Sequence, residues 1–165
     1  MKSKNITIGG ISVALSVVIL YLTTIIPINT VALLTLASAI IPIVIIRSDF
    51  KTAILVYMSS SILSFFILPI NYTILYTLIF GIYGLVKFFI EKINRIFIEI
   101  LLKIAFFNIV LIICYILIKT LLVDLGLSLA PWLFFIIAQI GFLVYDYALT
   151  LIITLYLNKI HNKIK

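Results

Sequence analysis

Residues 104–123, IAFFNIVLIICYILIKTLLV, hold a single charged side chain, Lys119, in twenty positions. Crossing the hydrocarbon core of a bilayer takes roughly 20 apolar residues in a helix. No water is present there to bond a stray amide or carbonyl, so such a stretch satisfies its backbone internally. Working outward, five more apolar runs lie at 6–26, 30–46, 52–68, 72–90 and 131–157. Together they use nearly all of the 165 residues, which predicts an all-α integral membrane protein with six transmembrane helices in one domain, 1–165. Composition agrees: 65% of residues are hydrophobic and 10% charged, against about 45–50% apolar in ordinary soluble domains.

The punctuation between the runs is chemical. Pro27-Ile28-Asn29 and Pro69-Ile70-Asn71 close the first and third runs, and Arg47 to Lys51 is a charged turn. Gly126 sits in the turn after the fifth run, and Pro131 opens the sixth, where its missing N–H costs nothing. Pro42 falls inside the second run, as membrane helices tolerate. Lys2 and Lys4 before an apolar stretch resemble a signal-peptide start. The run is long, however, and 17–27 offers no small-residue cleavage site, so it reads as a retained span.

Charge sets the orientation. With the N-terminus inside, the inner segments hold Lys2, Lys4, Arg47, Lys51, Lys87, Lys92, Arg95, Lys103, Lys159, Lys163 and Lys165, eleven of the twelve basic residues. The positive-inside rule then puts both termini in the cytoplasm. This asymmetry accounts for the net charge of +7 without nucleic acid as a partner. The Ile- and Lys-rich, Ala-poor usage fits an AT-rich bacterial genome, which points to a bacterial plasma membrane.

Residues 91–103 read as an amphipathic cytoplasmic segment between the fourth and fifth spans. Ile93, Ile96, Phe97, Ile100, Leu101 and Ile104 recur at helical spacing, and Glu91, Arg95, Glu99 and Lys103 recur every four residues. The spacing predicts i,i+4 pairs Glu91–Arg95 and Glu99–Lys103, either on a surface helix or on an extension of the fifth span.

The residue inventory argues against catalysis. One histidine, His161, rules out a two-His metal site within the chain, no glycine-rich loop follows a strand, and the five acidic residues are scattered. No enzyme activity and no cofactor are expected. The lone Cys114 lies in an apolar run and reads as a small hydrophobe.

Polar residues inside a membrane are costly and therefore candidates for function. They form stripes on three spans: Tyr72, Tyr76, Tyr83 and Lys87 on the fourth, Asn108, Tyr115 and Lys119 on the fifth, Trp132, Gln139, Asp146 and Thr150 on the sixth. The pattern predicts that spans four to six face one another around a polar interior, with spans one to three supplying packing or a partner face. By depth, Tyr76, Tyr115, Lys119, Trp132 and Gln139 lie in the outer half as substrate-binding candidates, a setting suited to a small, partly anionic ligand. Lys87, Asn108 and Asp146 lie in the inner half as an internal brace, with Asp146 neutralised by Lys87. Plainer readings stand beside these. Trp132, Tyr72 and Tyr145 fit an interfacial aromatic belt, Lys119 fits a side chain snorkelling to the surface, and Gln139 fits an interhelical hydrogen bond.

On the first span, Gly10 and Ala14 are four apart, as are Ser12 and Ser16, a spacing that lets another helix approach closely. With six spans, both ends inside and Gly10-Ile11-Ser12-Val13-Ala14 where the family shows Ala-x-x-x-Ala, the chain resembles the substrate-binding S-components of energy-coupling factor (ECF) vitamin transporters. The Tyr145-Asp146-Tyr147 stretch is similar to this family as well. The resemblance implies a vitamin or other micronutrient as substrate, bound from the outer side between the later helices. It implies a transmembrane coupling subunit against Gly10 and Ala14, and two cytoplasmic ATPases as the motor. No vitamin-specific signature is present, and the outer loops are shorter than the family's usual ones. A second reading has the same span count: a non-transporting membrane scaffold, similar to MreD-like cell-shape proteins, with 91–103 as the partner surface.

Overall fold

Apolar sequence dictates helix here, and the turns decide how the helices are cut. The computed structural model describes residues 3–120 and 131–158, apart from the side chains of 27, 114–115, 117–120, 131–132 and 134. The helices are α1 (Ser3–Ile25), α2 (Thr30–Arg47), α3 (Phe50–Ile67), α4 (Ile70–Glu91), α5 (Ile96–Thr120) and α6 (Pro131–Tyr156), with a single 3₁₀ turn at Pro27–Asn29. Each of the six contains a stretch long and apolar enough to cross a membrane.

The α2–α3 turn is held by Asp49. Its carboxylate accepts the Thr52 backbone N–H at 2.6 Å, which satisfies one of the unpaired donors at the start of α3. It also accepts the Asn5 amide at 2.7 Å and so fixes the start of α1 to the same end of the bundle. At the opposite end Pro69 precedes α4, and the Thr73 hydroxyl donates to the Ser64 carbonyl at 3.1 Å, tying α4 to α3.

The centre of the bundle is a helix that the sequence reading did not single out. More than half of α2 is buried (56%), against 17% for the spanning stretches of α5 and α6. α2 packs on α1, α3, α4 and α6. Leu34, Ala37, Ser38 and Ile41 are all fully enclosed. Of spans one to three, expected to supply packing or a partner face, α2 runs through the middle of the described helices and supplies packing. Its close partner is α4 at Gly84, where a Cβ would lie 3.1 Å from Pro42 Cδ and 3.1 Å from the Ser38 carbonyl oxygen. Pro42 has no N–H to give that carbonyl, so the glycine sits where the helix ladder is interrupted.

α4 winds as a π-helix over Tyr76–Gly81. The Tyr57 hydroxyl of α3 donates to the Thr77 carbonyl within this segment at 2.8 Å, and the Tyr57 ring fills the space beside Gly81. The wider winding also separates two tyrosines that the sequence put on one face. Tyr76 turns to α3, where its hydroxyl meets Ser60 Oγ at 2.8 Å, and Tyr83 turns to α6.

The segment 91–103 is not one helix. α4 ends at Glu91, Asn94 takes a left-handed conformation (φ 54°), and α5 starts at Ile96. Asparagine tolerates that conformation better than most residues. The break removes the helical spacing between Glu91 and Arg95, so their expected pair does not form. Of the two expected geometries, the extension of the fifth span is the one present.

Candidate functional site

Four charged side chains close a ring where α4, α5 and α6 meet. Lys87 Nζ lies 2.8 Å from Glu91 Oε1 and is also bonded to Asp146 Oδ1. Lys103 Nζ lies 2.9 Å from Asp146 Oδ2 and 3.3 Å from Glu91 Oε1. Each lysine thus touches both carboxylates, and the two positive and two negative charges sum to zero. Lys87 is only 1% exposed, and burial of an ion on this scale is tolerable only when partners and hydrogen bonds replace water.

The remaining bonding positions are filled by neighbours. The Tyr83 hydroxyl donates to Asp146 Oδ1 at 2.6 Å, and Lys87 donates to Thr150 Oγ1 at 2.8 Å. Thr150 in turn donates to the Asp146 carbonyl one helical turn back, at 2.9 Å. The Tyr83 ring lies 5.8 Å from the Lys87 ammonium, a cation–π distance. Beside the ring, Phe107 of α5 stacks on Phe142 of α6 at 4.2 Å, and Tyr83 meets Phe142 edge-on at 5.0 Å. Aromatic packing excludes water and raises the strength of the ionic contacts.

Of the three residues expected to form a brace, the structure brings Lys87 and Asp146 into direct contact. Asn108 stays out: its amide donates to the Ile104 carbonyl of its own helix at 2.9 Å. Glu91 and Lys103 take part instead, two residues that the sequence assigned to the amphipathic connector. Lys103 reaches across to α4 and α6 rather than to Glu99. A signal for Glu91 was present, since it lies four residues after Lys87 on the same helix. Lys103 carried no such signal, because its partners are 12 and 43 residues away.

Tyr145 is also corrected. It is not an interfacial belt residue but a buried one, and its hydroxyl donates to Ser38 Oγ at 3.0 Å with the Phe80 carbonyl at 3.1 Å. This places one polar contact between α6 and the central helix α2, which sequence spacing does not reveal.

The outer candidates separate. Tyr76 is fully enclosed and its hydroxyl is occupied by Ser60. Gln139 is half-buried on α6, and its amide makes no hydrogen bond among the described residues. Between 133 and 141 no described side chain of α6 is fully buried, and the first one that is, Phe142, lies next to the ionic ring. The side chains of Tyr115, Lys119 and Trp132 lie outside the described residues. On α1, Ala14 is exposed, and a Cβ added at Gly10 would have no neighbour within 4 Å. Gly9 is the glycine of α1 that faces another helix, where an added Cβ would lie 3.2 Å from Thr52 Cγ2.

Fold and site together define a multi-pass membrane protein: six apolar helices, closed at one level by a neutral ionic ring. In comparisons with family models, curated proteins and solved structures, nothing matches the chain.

Proposed function

We propose that the protein is the membrane-embedded, substrate-binding subunit of an ECF-type importer. It takes a vitamin or other small micronutrient from the outer side between α4, α5 and α6. A transmembrane coupling subunit docks on α1, and two ATPase subunits supply the energy. In this reading the basic end faces the cytoplasm of a bacterial cell.

The observation that carries the proposal is the contrast along α6. One half is fixed by the ionic ring and by Tyr145. Along the other half no described side chain from 133 to 141 is fully buried, and Gln139 makes no hydrogen bond among the described residues. A half-buried amide in an apolar setting gains by bonding a polar ligand group, and apolar walls with few polar groups are usual for small-molecule sites. The α1 face adds support. Gly10 and Ala14 leave room for a helix at close range. Further along lies an apolar groove of about 460 Å³ bounded by Val17, Val18, Tyr21, Leu22, Phe66 and Ile67.

The test is purification of tagged protein from its native host in mild detergent, with mass spectrometry of the co-purifying chains. The proposal requires one membrane coupling subunit and two ATPases, and their loss when Gly10→Leu and Ala14→Leu are combined. Thermal-shift measurements with riboflavin, thiamin and biotin then screen for substrate, and Lys119→Ala with Gln139→Ala removes any shift found. Recovery of cell-shape proteins instead identifies a scaffold and reduces Gln139 to helix packing.

A further inference from the structure

Three phenylalanines join two turns at the end of the bundle that carries Ser3, Arg47 and Glu91. Phe50, the first residue of α3, lies edge-on to Phe89 near the end of α4 at 4.8 Å, and 6.4 Å from Phe88. These contacts bring the α2–α3 turn, with Arg47 and Lys51, beside the α4–α5 turn, with Lys92 and Arg95. All four cations are exposed, and none makes an ion pair among the described residues.

The nearby carboxylates are already committed. Asp49 caps α3 and accepts Asn5, while Glu91 and Asp146 belong to the ionic ring. Only Glu99, half-buried, lies outside a cap or ion pair among the described residues. Asp49 keeps its negative charge beside Lys51, and against it the four cations leave the two turns with a net positive charge.

Large apolar side chains flank the same turn. Phe97 is 89% exposed, Ile96 73% and Leu101 67%, with Phe89 half-exposed beside them. Cations next to exposed aromatic and aliphatic groups match the two halves of an anionic lipid, a phosphate headgroup and its acyl chains.

We infer that the two turns joined by Phe50 and Phe89 form a binding site for an anionic phospholipid. Arg47, Lys51, Lys92 and Arg95 hold the phosphate, and Ile96 and Phe97 lie against the chains. The site is independent of the substrate reading and uses none of its residues.

The test is native mass spectrometry of delipidated full-length protein titrated with phosphatidylglycerol or with phosphatidylcholine of the same acyl chains. Phosphatidylglycerol is expected to bind at least about tenfold more tightly, since each nearby cation contributes roughly fivefold. Combining Arg47→Gln, Lys51→Gln, Lys92→Gln and Arg95→Gln removes the preference, and Lys4→Gln, a cation outside the site, retains it. Should the fourfold variant fail to fold, Lys51→Gln and Lys92→Gln singly must each weaken phosphatidylglycerol binding severalfold. Equal binding of the two lipids, or a preference that survives these variants, overturns the inference. Displacement of bound phosphatidylglycerol by millimolar inorganic phosphate also overturns it, because the site then reads free phosphate.

Discussion

Lys103 Nζ lies 2.9 Å from Asp146 Oδ2, joining the second turn of α5 to the middle of α6 across 43 residues of sequence. The contact explains how two of the least buried helices are held. Few apolar side chains of α5 and α6 are enclosed, so the ionic ring and the Phe107–Phe142 stack carry much of their attachment. In a bilayer, helix association has no hydrophobic driving force, and polar contacts and close packing take its place.

Asp146→Asn is expected to destabilise the protein by about 3–5 kcal/mol, because Lys87 and Lys103 then share Glu91 alone and one buried positive charge is left uncompensated. Replacing the pair together, Lys87→Met with Asp146→Leu, is expected to cost less, since Lys103 and Glu91 still neutralise each other. Thermal unfolding in detergent compares the three proteins. A double variant weaker than Asp146→Asn would show that the ring stabilises beyond charge compensation.

Tyr145→Phe removes one hydroxyl that reaches Ser38 and the Phe80 carbonyl. A loss of about 1–2 kcal/mol is expected, the upper range for interhelical hydrogen bonds in membranes. Tyr147→Phe, at an exposed neighbour, serves as the control and leaves stability unchanged.

Gly84→Ala places a methyl group 3.1 Å from Pro42 Cδ and the Ser38 oxygen and is expected to cost about 1–3 kcal/mol through overpacking. Gly10→Ala meets open space, and helix propensity there favours alanine by up to about 1 kcal/mol. Opposite signs at two helix glycines are read from the same unfolding curves. Equal signs would mean that α2 and α4 relax apart.

Asp49 gives a pH dependence outside the spans. Hydrogen bonds from Thr52, first among the causes, and from Asn5 hold its carboxyl below the ordinary value of 3.8. A lowered folded value means the ionised cap stabilises above that pH, and its contribution is lost as pH falls through the folded value. Wild type and Asp49→Ala are therefore expected to differ at neutral pH and to converge on acidification below about pH 4. A constant difference across that window would assign the effect to packing.

Six spans were legible because each is a local property: an apolar run of membrane length, ended by proline, glycine or charge. The boundaries moved by a few residues, and most at α5, whose start at Ile96 includes residues read as part of the connector. Lys87 and Asp146 were legible as costly charges in apolar runs. Glu91 carried only its i,i+4 spacing to Lys87, and Lys103 carried no signal, because charged residues near a turn look alike whether they face water or a partner. Tyr145 was misread because an aromatic in an apolar run reads the same whether it faces lipid or, as here, Ser38 of another helix.

The sequence by itself determined that the chain is helical, membrane-sized and basic at one end, since these follow from hydrophobicity, helix length and charge along the chain. The tertiary structure alone decided that α2 is the centre, that α4 winds wide between Tyr76 and Gly81, and that four charges close one neutral ring. Those features depend on rotation and depth of one helix against another. In a uniformly apolar sequence these are set by a few distant contacts such as Gly84 on Pro42, Tyr145 on Ser38 and Lys103 on Asp146, and not by any periodic pattern.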